Sequence, residues 1–277
     1  MRVRIRHEIT QRFAPGSRNL SVTVRLTPRP HEGQFVQRWT LDLNSDGRLH
    51  PLEDAFGNLC HAFSVDGPTD HVTVVAEGEV ETFDTTGIVR GTVEPFPPAL
   101  YLRETSLAHP TEAVITFADS VKDASPDPLS RLHALMVHLH ETVAEIEPTP
   151  TIMPMSAHDA LVAKASCPGG LAHLFTAAAR HLGSPARHIS GYLAEDDEGT
   201  ARHWAEAYVP EIGWVAFDPG RNLCTTENYV RLAVGLDAFG VAPMRSTGFE
   251  CRESVCAQDG RVSPRAVQSQ SQGQGQN

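Results

Sequence analysis

The sequence is poor in the features that mark membrane, nucleic-acid-binding or disulfide-stabilised proteins. Its 23 Lys and Arg are outnumbered by 34 Asp and Glu, which gives a formal net charge of -11, whereas nucleic acids and anionic membranes require a basic surface. No segment approaches the roughly 18 to 20 consecutive apolar residues of a membrane-spanning helix. The 5 cysteines are an odd number scattered over 277 residues, unlike a disulfide framework. We therefore expect a cytoplasmic protein whose partner is neither nucleic acid nor membrane.

The first part of the chain has the pattern of β structure. The runs "LSVTVRLTP", "FVQRWTLDLN", "HVTVVAEGEVET" and "VITFA" alternate and are rich in β-branched residues, and turn signals such as "NSDG" and "DGPTD" separate them. The N-terminal "MRVRIRHEIT" alternates Arg with Val and Ile and has no apolar run behind it, so it predicts a strand rather than a signal peptide. The pattern predicts an antiparallel β-sandwich domain over residues 1–118.

The pattern then changes to a helical period. The stretch "SRLHALMVHLHETVAEI" carries an apolar stripe formed by Leu132, Leu135, Met136 and Leu139. A second helix, "SAHDALVAKA", has Ser156 as its predicted N-cap. We expect an α+β protein with a second domain over residues 119–250. The remainder, residues 251–277, ends in the low-complexity "SPRAVQSQSQGQGQN" and predicts a largely disordered tail.

The stretch "KASCPGGLAHLF" places a cysteine directly before a third predicted helix. The apolar face that begins at Leu171 and the stop signal at Gly183 limit this helix to about Pro168 to Leu182. Proline suits the first helical position, so Cys167 lies at or beside the N-cap. There the free N–H groups and the helix dipole stabilise a thiolate, the reactive form of cysteine. Alternatively, Cys167 is only a small residue that fills a helix start.

Residues that could complete a nucleophilic site lie on the strands that follow. A thiolate nucleophile works with a histidine as acid and base and with a third group that orients the histidine. The stretches "RHWAEAYV" and "GWVAFDP" read as a hairpin, with His203 on its first strand and Asp218 at the end of its second. The candidate catalytic residues are therefore Cys167, His203 and Asp218. Candidate substrate-binding residues lie beside them, where glycine allows close approach and an aromatic ring can contact a substrate: Gly169, Gly170 and Trp204.

Metal ligation is not expected. The histidines of the first predicted helix do not fall three or four residues apart, as ligands on one helix face would: His133, His138 and His140. The spacing of Cys251 and Cys256 is compatible with zinc, but beyond Cys224 no fourth ligand is evident. Thiolate chemistry requires no cofactor, so none is expected.

The region from about Ser156 to Arg245 resembles the core of the bacterial transglutaminase-like superfamily, which is papain-like in architecture. The matching stretches are "LAHLFTAAARHLGSPARHISGYL", "WAEAYVPEIGWVAFDP" and "YVRLAVGLDAFGVAPMR". In the N-terminal part, "VRLTPRP", "EDAFGN" and "EGEVET" resemble the β domain that precedes this core in bacterial members. The resemblance implies a helix bearing the cysteine, packed on an antiparallel sheet that bears the histidine and aspartate. It also implies a Cys-His-Asp triad that attacks a peptide or protein amide, more often in hydrolysis than in crosslinking.

Two departures from the family pattern fall on the triad itself. Counted back from "AHLF", the family cysteine belongs at Pro168, so Cys167 lies one residue early. Counted back from "WAEAY", the family histidine belongs at Arg202, so His203 lies one residue late. On a strand, a shift of one residue moves a side chain to the opposite face of the sheet.

The turn between the two strands decides which residue faces Asp218. A four-residue turn from Pro210 to Gly213 pairs Ala205 with Asp218 and brings His203 to the same face. A shift of one residue in this pairing gives that face to Arg202 instead. The first arrangement predicts a cysteine protease or amidase. The second predicts a catalytically impaired relative that acts as a binding or scaffolding module.

Overall fold

The computed structural model describes residues 1–148, 154–195, 199–248 and 250–260. The N-terminal strands are β1 (Arg2–Ser17), β2 (Leu20–Thr27), β3 (Gln34–Leu43), β4 (His50–Glu53), β5 (Leu59–Val65), β6 (Thr69–Thr82) and β7 (Ile88–Val89). After a 3-10 helix at Pro98–Leu102, the α-helices are α1 (Glu112–Asp119), α2 (Pro128–Thr142), α3 (Ala157–Ala163) and α4 (Pro168–His181). Among and after the helices lie β8 (Ala144–Glu145), β9 (Ala165–Ser166), β10 (Ala186–Leu193), β11 (Thr200–Val209), β12 (Gly213–Asp218), β13 (Leu223–Cys224), β14 (Tyr229–Gly235), β15 (Met244–Arg245) and β16 (Glu250–Asp259).

Two four-stranded antiparallel sheets form the N-terminal β domain, with strand orders β16-β1-β6-β3 and β15-β2-β5-β4. Alternate residues of β1, including Val3, Ile5 and Ile9, are buried in one hydrophobic cluster with residues of β2, β5 and β6. Each fully buried aliphatic or Phe side chain contributes about 1.5–3 kcal/mol. The alternating pattern thus produces the expected β-sandwich, because every second residue points to a shared interior.

The structure corrects two expectations near the domain ends. The stretch "VITFA" belongs to α1 and not to a strand, because Val114, Phe117 and Ala118 pack at helical spacing into the cluster around α4. The predicted tail begins as a strand: β16 pairs with β1 along its length, and its Ala257 is fully buried. The rest of that tail, residues 261–277, lies outside the described residues.

The second domain is built on one antiparallel sheet of order β13-β12-β11-β10-β14, with β7 beside β12. Helix α4 packs its apolar side, including Leu171 and Phe175, against Ala205 and Phe217 of this sheet. As predicted, α4 starts at Pro168 and stops before Gly183, whose φ of 83° ends the helix. The α+β arrangement expected from the sequence is therefore confirmed, with the cysteine-bearing helix lying on the antiparallel sheet.

Among the described residues, no helix combines the length and the apolar character that crossing a bilayer demands.

Candidate functional site

The start of α4 is shaped by Cys167 and two glycines. Cys167 is the N-cap residue, with extended backbone angles of φ -68° and ψ 164°, and it is partly exposed. A Cβ on Gly170 would lie 2.1 Å from Oγ of Ser166, so this glycine serves the close packing of α4 on β9. A Cβ on Gly169 would lie 3.9 Å from Cγ of the His203 ring. The structure therefore brings Cys167 and His203 to the same end of α4.

The connection between β11 and β12 determines which residue faces Asp218. Val209 pairs with Gly213, and Ala205 pairs with Phe217. The connection is thus residues 210–212, one residue shorter than the turn that would pair Ala205 with Asp218. Because side chains alternate along a strand, this register places Arg202 on the face of Asp218 and turns His203 toward α4.

Arg202 forms a buried ion cluster with Asp218 and Glu145. Its Nε lies 2.7 Å from Oδ2 of Asp218 and its Nη2 lies 2.8 Å from Oδ1. Both terminal nitrogens also bond the Glu145 carboxylate, Nη2 at 2.8 Å from Oε2. Burial by itself lowers the pKa of Arg202, but the hydrogen bonds to Glu145 and Asp218 outweigh it and raise the pKa. The guanidinium stays charged, and each of its three nitrogens donates to one or both of these carboxylates.

The Asp218 carboxylate has further donors. The Tyr229 hydroxyl donates to Oδ2 at 2.8 Å, and the backbone N–H of Arg221 donates to Oδ1 at 3.3 Å. Burial and the neighbouring Asp218 charge raise the pKa of Tyr229. Both carboxylate oxygens are thus used within this cluster, so Asp218 does not orient His203.

His203 instead belongs to a row of three histidines. Its Nδ1 lies 2.9 Å from Nε2 of His188, and the rings of His188 and His173 are 4.5 Å apart between centroids. His173 accepts a hydrogen bond from the Ala238 N–H at Nε2, so its Nδ1 carries the proton and donates to the Met155 carbonyl. His173 and His188 are fully buried, whereas His203 is partly exposed.

Burial keeps these histidines neutral. It lowers the pKa of His203 to about 4, with Glu253 opposing the shift and Arg202 reinforcing it. It lowers the pKa of His173 to about 4 as well, against the hydrogen bond to Met155, and the pKa of His188 falls well below its usual value. A general base works best with a pKa near the working pH, so His203, with its pKa lowered to about 4, is a weak base toward a thiol.

Trp204, predicted to contact substrate, is buried on the face of the sheet that points away from α4. Its ring lies edge-on to Tyr229 at 5.4 Å between centroids, and a Cβ on Gly191 would lie 2.5 Å from its Cη2. The Trp204 indole nitrogen has no hydrogen-bond partner within the part of the chain that the structure describes. Trp204 is therefore a wall of the sheet core, with its polar atom unused.

Histidines and cysteines elsewhere have separate environments. Nδ1 of His133 lies 3.0 Å from the Leu129 carbonyl oxygen, and its Nε2 lies 3.5 Å from the Cys224 sulfur. His138 stacks on Phe117. Over residues 1–148, 154–195, 199–248 and 250–260, no group of three or more His, Cys, Asp or Glu side chains is arranged to hold a metal ion.

Sequence reasoning missed Glu145, Tyr229 and His188. The offset from the family pattern marked Arg202, but Glu145 follows a helix without any motif and reaches Arg202 only because β8 pairs with β9 in parallel. His188 becomes relevant through the pairing of β10 with β11, which sets it opposite Ala205. Neither relation is visible in local sequence.

The chain matches two families of known proteins. Residues 3–81 match the bacterial transglutaminase-like N-terminal region, and residues 115–219 match the transglutaminase-like superfamily. An uncharacterized protein of Mycobacterium leprae (strain TN), ML0607, is 25% identical over 249 residues, which cover 80% of this chain and 84% of that protein. A crystal structure from Cytophaga hutchinsonii, described as a candidate cysteine protease, superposes with a TM-score of 0.74 at 18% identity. The superposition covers 93% of this chain and 90% of that one, and it supports the fold.

Proposed function

Because the chain belongs to the bacterial transglutaminase-like superfamily, we propose that it is a binding module on the family fold in which the family's acyl-transfer site is closed. The observation that carries the proposal is the pairing of Arg202 with Asp218 at 2.7 Å. Arg202 stands where family members carry the catalytic histidine. A guanidinium does not release its proton in proteins, so it serves neither as general base nor as general acid.

The residue at the family's nucleophile position supports the same proposal. Pro168 stands at the family's nucleophile position and has no group that could attack a carbonyl. The Arg202 cluster is also costly to open, since removing one partner from a buried ion pair leaves an uncompensated charge. This cost favours the closed state of the site.

The test is a comparison of amide cleavage by the wild-type chain and by Cys167→Ala. An unfolded protein substrate is incubated with each, and new amino termini and released ammonia are counted. The proposal is supported if the wild type and Cys167→Ala both give only the same background of new amino termini and ammonia. Turnover by the wild type that disappears in Cys167→Ala contradicts it.

A second candidate is acyl transfer by a relocated pair, Cys167 and His203, and it is favoured by the position of the His203 ring over Gly169. In this reaction His203 takes the thiol proton, and the sulfur attacks an amide carbonyl to form a thioester. His203 then protonates the leaving amine, and water hydrolyses the thioester with His203 as base. His188 takes the orienting role that the family gives to an aspartate, through its 2.9 Å contact with His203.

Alkylation distinguishes the two candidates. The rate of iodoacetamide addition at Cys167 is followed against pH by peptide mass spectrometry, in the wild type and in His203→Ala. An unchanged profile supports the binding module, and a profile that moves to higher pH in His203→Ala supports the relocated pair. Cys224 is an internal control, because burial raises the pKa of its thiol and it lies outside the site.

For either candidate we propose a peptide or protein amide as the partner, which is the partner expected from the sequence. A cytoplasmic location stays a prediction, which fractionation of cells that express the chain would check.

A further inference from the structure

A pocket lies between the two domains on the sheet face opposite α4. The N-terminal domain and the segment after it contribute His31, Gly33 and Phe83, and the second domain contributes Trp204, Tyr229 and Arg231. We call it the Trp204 pocket.

The first unpaired polar group at the pocket belongs to a residue that lines it, the indole N–H of Trp204. The benzo edge of this ring packs on Gly191, so the ring cannot turn to find another partner. Trp204 is 2% exposed and its Nε1 is buried without an acceptor among the described residues. A buried donor that is left unpaired carries a desolvation penalty, and an acceptor entering the pocket would remove that penalty.

The second polar group is His31. Its Nδ1 accepts a hydrogen bond from the Gly33 N–H at 3.1 Å, so in the neutral ring the proton is on Nε2. Burial, assisted by the Arg231 charge, lowers the pKa of His31 to about 4, which keeps the ring neutral at pH 7. Nε2 is also buried without a partner in the described part of the chain. Two residues that line the pocket therefore carry N–H donors that have no acceptor among the described residues.

The charges around the pocket determine what kind of acceptor fits. Arg231 Nε lies 2.8 Å from Oε1 of Glu206, and Arg187 Nε lies 2.7 Å from Oε2 of the same carboxylate. Arg187 also bonds Glu94 at 2.7 Å. Two guanidinium groups thus balance two carboxylates. An anionic ligand would find no net positive charge and would approach Glu206, which also lines the pocket.

We propose that the Trp204 pocket binds a neutral carbonyl oxygen of an amide, which accepts hydrogen bonds from Trp204 Nε1 and His31 Nε2. The inference deepens the proposed binding function and rests on it for its biological meaning. Phe83, which is 51% exposed at the pocket, offers an apolar surface for the groups attached to the amide. The ligand class is therefore a carboxamide or a peptide group, bound without cleavage.

The test uses acetamide as the probe and acetate as its charged counterpart. The chain has 3 tryptophans, so its indole N–H signals are few and can be assigned in a ¹H–¹⁵N spectrum by Trp204→Phe. We expect acetamide to shift the Trp204 indole signal saturably, and acetate to bind at least about tenfold more weakly. Loss of one hydrogen bond of about 1 to 1.5 kcal/mol corresponds to about five- to thirteenfold in affinity, so His31→Phe should weaken acetamide binding by a factor in that range.

A matched control separates specific binding from a solvent effect. Trp39 also has a buried indole nitrogen without a partner among the described residues, but it does not line the pocket. Its signal should stay unchanged, and Trp39→Phe should leave acetamide binding intact. The proposal is overturned if acetamide gives no saturable shift, if the Trp39 and Trp204 signals move in parallel, or if acetate binds as well as acetamide.

The outcomes for the pocket and for the proposed function are independent. Cleavage that depends on Cys167 would refute the closed-site proposal and leave acetamide binding at Trp204 standing. Absence of both cleavage and acetamide binding would refute the pocket alone. If Trp204→Phe does not fold, His31→Phe still tests the pocket, because it leaves the Trp204 ring in place and acetamide binding can be followed on the Trp204 indole signal.

Discussion

Replacement of Arg202 by Met is expected to destabilise the protein far more than the loss of an ordinary surface charge. The side chain of Arg202 is 6% exposed and that of Asp218 is 1% exposed. Methionine keeps much of the aliphatic volume but leaves the charges of Asp218 and Glu145 without their shared counter-ion. Breaking a buried pair in this way costs roughly 3–5 kcal/mol. We place the expected loss at the lower end, about 3 kcal/mol, because Tyr229 and the Arg221 N–H still donate to Asp218.

The assay is the free energy of unfolding from urea curves at pH 7, followed by circular dichroism. Arg221→Met is the matched control, since Arg221 pairs with Glu195 where the two side chains are 36% and 44% exposed. Such a surface pair is worth about 0.2–1 kcal/mol. The reasoning is refuted if Arg202→Met and Arg221→Met cost the same.

A second variant checks the cause. Adding Asp218→Asn to Arg202→Met removes the more deeply buried of the two stranded charges, that of Asp218, but keeps an oxygen for the Tyr229 hydroxyl. We expect the double variant to be more stable than Arg202→Met alone, with a coupling energy above about 1 kcal/mol, as residues in one network show. A double variant whose losses simply add would mean that the cost comes from packing and not from charge.

Three further predictions concern stability. Since the pKa of the buried His173 is lowered to about 4, the unfolded chain takes up a proton below about pH 6.5 that the folded chain does not. The contribution of His173 to the free energy of unfolding should therefore be fully present above pH 6.5, and it should decrease below that pH by up to about 1.4 kcal/mol per pH unit. Urea midpoints that do not change between pH 7 and 5 would contradict this. Gly191→Ala should prevent stable folding, because its Cβ would lie 2.1 Å from the Val230 carbonyl oxygen, whereas Gly67→Ala, with no atom within 4 Å, should be tolerated in the same expression and melting assays. Ser156→Ala should lower the free energy of unfolding by about 1 kcal/mol, because Ser156 caps the start of α3 by accepting from the Asp159 N–H; an unchanged urea midpoint would show that this cap contributes nothing.

Local sequence was sufficient to predict those features that depend on a single helix or strand. Proline after Cys167 and glycine at position 183 bound α4 from both ends, and the structure has the helix at those limits. Alternation along β10, β11 and β12 identified the strands. The stretch at 114–118 shows the limit of such patterns, because five β-branched and apolar residues fit a strand as well as a short helix. Its packing against α4 selected the helix.

The site depended on relations that no local pattern contains. The sequence by itself determined which residues are present: an arginine at the family's histidine position and a proline at its cysteine position. It also determined that Cys167 and His203 each lie one residue away from those positions. Which of Arg202 and His203 faces Asp218 was decided by the length of the β11–β12 connection, since a change of one residue there reverses every side chain on the strand. Glu145 and His188 joined their partners through strand pairings distant in sequence. The ion cluster is therefore a product of tertiary structure, because its charges become strong partners only where several strands together exclude water.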